Sequence, residues 1–94
     1  MTKAQIIKEV SEKIGVPRST VETILEAYMV SVKEHVVRKE AVSFRGFGNF
    51  IVKRRAEKLA RNISKNTTIK IPAHYIPVFR PSKQFSSQVK KATK

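Results

Sequence analysis

The chain has 94 residues, no cysteine and a formal net charge of +13. These features exclude a disulfide framework and a Cys/His zinc site, and a domain of this size buries only about 60–65% of its unfolded surface, so oligomerisation often helps it. No apolar run is long enough for a signal sequence or a membrane span. We therefore expect a soluble cytosolic protein.

The charge is unevenly distributed along the chain. Residues 1–50 contain eight Lys or Arg and six Glu (8 − 6 = +2), whereas residues 51–94 contain twelve and one (12 − 1 = +11). A block of like charge opposes compaction, so the second half is typical of a surface that binds phosphates. The alternative is a basic tail that only promotes solubility, but here the charge coincides with a strand pattern.

The first helix is predicted from about Lys3 to Ile14. Thr2 and Gln5 form a capping-box pattern, and large apolar residues then recur at 3.6-residue spacing. Gly15 suits the left-handed position after the last turn, and Pro17 prevents continuation.

The second helix is predicted to start with another capping box, Ser19 and Glu22, and to extend to about Lys39. Its apolar stripe lies on one side, while Val30 and Val37 lie on the opposite side. A helix covered on two sides favours a second subunit as the partner, although isolated exposed valines are also ordinary.

A β-ribbon is predicted after a short strand at residues 41–44 and a turn at residues 45–48. One strand leaves from Asn49, turns near residues 62–66 and returns over residues 67–79. Pro72 and Pro77 predict an edge, a bulge or a break in the returning strand. A short helix should follow from Ser82 to about Lys91.

The stretch 53–70 carries seven basic residues and one acid and has few large apolar groups. We call this ribbon the arm and interpret it as the working part, with a plain solvated hairpin as the alternative. By alternation along the outgoing strand, Lys53, Arg55 and Arg61 share one face and Arg54 and Lys58 share the other. Cations on both faces suit a ribbon lying between two walls of phosphates.

Several motifs resemble the bacterial histone-like family of HU and integration host factor. They are Gly46-Phe-Gly48-Asn-Phe50, Arg55 to Arg61-Asn62, Ile69-Lys-Ile-Pro-Ala73, and Phe79 with Lys83. The resemblance covers essentially the whole chain. It implies an α+β fold: an intertwined dimer with a helical-hairpin base (about 1–40), a β-saddle with extended arms (about 41–80) and a short C-terminal helix (about 82–91).

The resemblance also implies function. A single domain over residues 1–94 would bind duplex DNA from the minor groove, largely without sequence preference, and would bend or compact it in the bacterial nucleoid. The partner subunit would be a second copy or a paralogue. The predicted DNA-binding residues are Lys3, Arg45, Lys53, Arg54, Arg55, Lys58, Arg61, Asn62, Ile63, Lys65, Lys70, Arg80 and Lys83. Five of them are expected to line the saddle: Lys3, Arg45, Lys70, Arg80 and Lys83.

Two positions depart from the family pattern. Ile63 stands where the family has a proline that wedges between base pairs, and Asn66 stands where a glycine is usual. Isoleucine can serve as an apolar wedge in minor-groove proteins, and asparagine tolerates left-handed backbone. Ile63 is therefore the predicted wedge, with an idle exposed side chain as the alternative.

Other functions fit the residues less well. His35 and His74 have no acid or serine arrangement typical of catalysis, so no enzyme, metal or cofactor is predicted. Two glycines without a following helix do not form a nucleotide-binding loop. Membrane binding would need an amphipathic basic helix, and RNA binding, which stays a secondary possibility, would favour exposed aromatic side chains on the arm.

Overall fold

The computed structural model describes residues 1–93, which form an α+β protein with two compact units, Met1–Glu34 and the chain from His35 onward. The prediction of a single domain over 1–94 thus stays a prediction, and Lys94 lies outside the described residues. The elements are α1 (Lys3–Ile14), α2 (Arg18–Val37), β1 (Val42–Phe44), β2 (Gly48–Arg55), β3 (Lys58–Asn62), β4 (Thr67–Ile71), β5 (His74–Pro81) and α3 (Lys83–Ala92).

Helix α1 has the predicted bounds because both of its ends are capped. The Thr2 side chain accepts a hydrogen bond from the Gln5 N–H, and the Gln5 side chain accepts one from the Thr2 N–H. At the other end, Gly15 has φ 68° and its N–H donates to the carbonyl of Ser11. A left-handed residue at this position satisfies carbonyls that the last turn would otherwise leave unpaired.

Helix α2 begins earlier and ends earlier than predicted. The capping box at Ser19 is wrong, because Pro17, with its helix-compatible φ, accepts hydrogen bonds at its carbonyl from the N–H groups of Thr20 and Val21. Ser19 is consequently inside the helix. The helix ends at Val37 because Lys39 turns into left-handed backbone with φ 63°.

The first unit leaves most of its apolar residues at least partly exposed. Its buried hydrophobic side chains are Ile7 and Val21, whereas Ile14 is 63% and Ile24 64% exposed. A groove of about 360 Å³ runs along α1 and the first part of α2. It is lined by Ile6, Val10, Ile14, Val16, Val21, Ile24, Leu25 and Tyr28.

The second unit contains two antiparallel sheets instead of one continuous ribbon. The three-stranded sheet has the order β1-β2-β5, and β3 pairs with β4 in a separate two-stranded sheet that forms the arm. Both predicted long strands are interrupted at the same level, at residues 56–57 and 72–73. The predicted break at Pro72 is confirmed, and Pro77 lies in β5, an edge strand, where a missing N–H is tolerated.

Phenylalanine side chains hold the turn after β1 and the last helix against one face of the three-stranded sheet. The ring of Phe47 is 5.0 Å from that of Phe79 and stacks on that of Phe85 at 5.6 Å, measured between centroids. Phe50 and Phe79, which are directly opposite in β2 and β5, are also 5.0 Å apart. Helix α3 begins one residue later than predicted, because Ser82 serves as its N-cap.

Candidate nucleic-acid interface

One face of the β2–β5 pair is basic. The register places Asn49 opposite Arg80, Lys53 opposite Ile76 and Arg55 opposite His74. Directly opposed residues in an antiparallel pair project from the same face, and the period along a strand is two residues. Lys53, Arg55, His74 and Arg80 therefore share a face, which we call the basic sheet face, and all four are exposed.

The opposite face of the same pair carries the aromatic side chains. Phe50 and Phe79 lie there, together with Arg54, which is directly opposite Tyr75. The ammonium of Lys39 lies 4.0 Å from the centroid of the Tyr75 ring. The prediction that Lys53 and Arg55 face away from Arg54 is confirmed, and Arg54 shares its face with the apolar core of this unit.

The arm presents cations on both of its faces. Lys58 is opposite Ile71 and Arg61 is opposite Thr68. The two cations are three residues apart on one strand, so they project in opposite directions. The prediction that a continuous strand carries Arg61 on the face of Lys53 and Arg55 is wrong, because residues 56–57 interrupt the strand and β3 belongs to a different sheet.

The tip of the arm is held by side-chain hydrogen bonds. The Asn62 Oδ1 accepts from the N–H of Ser64 at 3.2 Å, from its Oγ at 2.8 Å and from the N–H of Lys65 at 3.4 Å. Asn66 has φ 51°, as its place in the turn predicted, and its Oδ1 accepts from Arg61 Nη2 at 2.6 Å. This local network leaves Ile63 91% exposed at the outermost point.

Lys70 lies on the arm, not in the saddle where the sequence suggested it. It pairs across the ribbon with Leu59, and its Nζ is 2.8 Å from Glu57 Oε1. Glu57 is the one acid of the second half of the chain. The arm thus contains a cation that is already partnered by a carboxylate.

Three further predicted residues lie at loop and helix ends. Arg45 is exposed in the turn between β1 and β2, and Lys83 is the first residue of α3, where free N–H groups favour anions. Lys3 belongs to the first unit, where its Nζ is 2.9 Å from Glu26 Oε1. The hydrogen bond and charge of Glu26 raise the pKa of Lys3 above its usual value.

His74 was not predicted as part of the site. The only signal that could have found it is the strand register, which puts it opposite Arg55. That register depends on the break at residues 72–73, because a continuous strand would give different pairs. The structure therefore brings a histidine into the basic sheet face that residue types alone did not place there.

The comparisons with known proteins agree with this arrangement. The family model described as bacterial DNA-binding protein matches residues 1–90. The chain belongs to this family. It is 39% identical over 82 residues to integration host factor subunit alpha of Anaeromyxobacter sp. (strain Fw109-5), covering 87% of this chain and 83% of the relative. It is 36% identical over 91 residues to DNA-binding protein HU of Clostridium pasteurianum, covering 97% of this chain and all of the relative.

The structural comparison gives the same family. The chain superposes on Anabaena HU from a cocrystal with DNA with a TM-score of 0.89 and 30% identity, covering 95% of this chain and 97% of that one. HU of Thermotoga maritima, at 24% identity and a TM-score of 0.67, shows the same fold. The α+β HU fold that the sequence resemblance implied is confirmed.

Family membership also bears on the excluded functions. HU and integration host factor are structural DNA-binding proteins and not enzymes, so the prediction that this chain is not an enzyme agrees with its family. Within residues 1–93, no group of three or more His, Cys, Asp or Glu side chains is placed to hold a metal. No helix in this range is both long enough and apolar enough to cross a bilayer.

Proposed function

We propose that the chain is an architectural protein of the bacterial nucleoid, which binds duplex DNA largely without sequence preference from the minor-groove side and bends it. The observation that carries the proposal is the combination of an exposed basic sheet face with an arm that bears cations on both faces. Its similarity to Anabaena HU, which was crystallised with DNA, supports the same partner.

The dimensions of the arm connect binding to bending. Four steps along β3, from Lys58 to Asn62, span about 14 Å, which is enough to follow successive phosphates. A minor groove of B-form DNA is only about 6 Å wide, whereas paired strands alone are about 4.8 Å apart before their side chains are added. The arm enters only a widened groove, and widening the groove bends the duplex.

The contacts available to the arm and the basic sheet face are mainly contacts to phosphate. Lysine and arginine side chains that bind phosphates position a protein on DNA but do not read its bases. We therefore expect only a weak preference for particular base sequences. DNA that is already bent, nicked or flexible should bind more tightly, because such DNA costs less to deform.

We also propose that the functional species is a dimer. The groove of the first unit is lined only by apolar side chains, among them Ile14 and Ile24, and a single chain leaves it open. A second copy of this chain, or a paralogue with the same apolar face, fits this groove as a partner. The matching groove of that subunit presents the same apolar side chains, so each subunit can cover the other. This proposed dimer agrees with the intertwined dimer that the family resemblance implies.

A competition titration tests the function. Labelled duplex DNA is bound and then competed with unlabelled duplex DNA, duplex RNA and anionic vesicles, and donor and acceptor dyes on the DNA ends report bending. We expect duplex DNA to compete best and energy transfer to rise on binding. If each dimer neutralises about 6–10 phosphates, affinity should fall about 10³–10⁵-fold between 50 and 200 mM salt. Affinity that hardly changes with salt would contradict the proposal.

A further inference from the structure

We propose that His74 and Arg55 form a proton-linked phosphate site at the base of the arm, so that His74 contributes a DNA contact whose strength depends on pH. This inference rests on the proposed DNA binding. It adds His74 to the DNA-binding residues and makes binding at this contact depend on the proton concentration. The ligand is a backbone phosphate of the duplex.

The position of His74 is fixed by strand pairing. It is the first residue of β5 and lies directly opposite Arg55, the last residue of β2. Both side chains are exposed on the basic sheet face. Directly opposed residues have Cβ atoms about 5 Å apart, so one phosphate can contact both side chains.

One ring nitrogen of His74 is already occupied. Nδ1 is 3.0 Å from the carbonyl oxygen of Pro72. A carbonyl oxygen only accepts, so Nδ1 carries a hydrogen and donates whether the ring is neutral or charged. Among residues 1–93, no hydrogen bond to Nε2 of this ring is found. Nε2 is therefore the ring nitrogen that is available to a bound phosphate.

The charge state of the ring decides what Nε2 offers to DNA. A neutral ring presents a lone pair, which a phosphate oxygen cannot bond. A protonated ring presents an N–H, which forms a charge-assisted hydrogen bond with phosphate. Histidine is the side chain whose charge changes between about pH 5 and 8. DNA binding is thereby coupled to proton uptake.

No acid on the basic sheet face competes for the ring. Within residues 1–93, β2 is the one strand paired with β5. It directs Arg55 and, diagonally, Lys53 toward this face, and Arg80 lies farther along β5 itself. Glu57 follows Arg55 by two residues but is ion-paired with Lys70. A bound phosphate is therefore the anion that this arrangement favours beside a charged His74.

The chain provides its own control, because it has only two histidines. His35 lies at the end of α2, where its Nδ1 is 2.7 Å from Glu40 Oε2 and 3.4 Å from Arg38 Nη2. The hydrogen bond from His35 and, to a smaller extent, the one from Arg38 lower the pKa of Glu40 below its usual value. A His35→Gln variant removes the imidazole outside the basic sheet face, whereas His74→Gln removes the imidazole within it.

The experiment measures the affinity of the full-length protein for a short duplex over a salt series, at about pH 6 and about pH 8. Each added phosphate contact steepens the plot of log K against log salt by about 0.9. We expect the wild-type slope to steepen by about this amount per protomer at the lower pH, and each such contact to tighten binding about three- to tenfold at a salt concentration near 0.1 M. His35→Gln should retain this pH dependence, and His74→Gln should lose it.

The outcomes separate the site from the function. If the wild type binds duplex DNA with the same slope at both pH values, or if His74→Gln keeps the steepening, the proton-linked site is wrong while DNA binding stands. If the wild type binds no duplex DNA at either pH, both proposals are overturned. Isothermal titration in buffers of different ionisation enthalpy gives a second readout, since proton uptake on binding should be present in wild type and His35→Gln and absent in His74→Gln.

Discussion

Gly48 lies directly beneath Phe79, with no room for a side chain between them. A Cβ atom at position 48 would be 2.6 Å from Cζ of Phe79 and 2.7 Å from the carbonyl oxygen of Arg80. Both distances are shorter than carbon contacts in packed interiors, which are about 3.5–4.0 Å. The absence of a side chain at Gly48 therefore leaves room for the ring of Phe79 in the aromatic cluster, on the face opposite Arg80.

Gly48→Ala should destabilise the protein by about 1–3 kcal/mol, because the added methyl group overpacks this contact. Gly15→Ala is the matched control. Gly15 has left-handed backbone, but a Cβ atom added there would meet no heavy atom within 4 Å, so this change should cost only backbone strain of about 1–2 kcal/mol. Urea denaturation at one fixed protein concentration measures both. A cost at Gly48 no larger than that at Gly15 would show that the cluster can move away.

The melting temperature should rise with protein concentration. Dimerisation that covers the apolar groove couples folding to association, and mass action then shifts the transition. Ile24→Lys places a charge in the groove and should weaken association strongly, whereas Glu9→Lys, on an exposed position outside the groove lining, should not. Sedimentation equilibrium checks both variants. A folded wild-type monomer at micromolar concentration would argue against the dimer.

Ile63→Ser should reduce DNA bending more than DNA affinity. The side chain is 91% exposed at the tip, so it adds nothing to the core of its own chain. Unstacking a base step costs a few kcal/mol, which burial of one isoleucine at about 25 cal/mol per Å² offsets only in part. The cationic arm must hold the DNA while the wedge enters.

Energy transfer between dyes on the DNA ends measures this effect of Ile63. Leu59→Ser is the matched control, since Leu59 is an exposed apolar residue of the arm that is not at the tip. Arg61→Ala should instead lower the DNA affinity and the salt slope more than it lowers the bend. An unchanged bend in Ile63→Ser would mean that the arm acts by charge alone.

Glu57→Gln should strengthen DNA binding. Its carboxylate is within 2.8 Å of Lys70 Nζ and would also repel phosphates near the base of the arm. Removing it frees one cation per protomer, so the salt slope should steepen by up to about 0.9 per protomer. Glu9→Gln makes the same change in net charge on the exposed surface of α1. Equal effects of the two variants would assign the gain to net charge, and no role would remain for the Glu57–Lys70 pair.

The features that local chemistry determines were predictable from sequence. The bounds of α1 follow from Thr2, Gln5 and Gly15, whose side chains and backbone act within a few residues of themselves. The second capping box failed for a related reason: Ser19 has the right neighbours, but Pro17 starts the helix before it. Two local signals for a helix start, the Ser19 capping box and Pro17, compete here, and the residue types alone do not show which one prevails.

The features that depend on strand pairing were not predictable. Residues 56–57 contain neither glycine nor proline, so nothing in their types indicates a break. The Glu57–Lys70 ion pair and the pairing of His74 with Arg55 both follow from that break and from the register it sets. The sequence predicts which basic residues belong to the candidate site, but their strand partners required the register.

The breaks at residues 56–57 and 72–73 divide the strand hydrogen bonds of the second unit between two separate sheets. The arm can therefore open from tip to base while all eight pairs between β2 and β5 stay intact. A two-stranded ribbon alone is marginally stable in water, so its amide hydrogens should exchange with solvent by local opening, without global unfolding. The energy needed to reshape the arm around a bent duplex is then separate from the energy that keeps the protein folded.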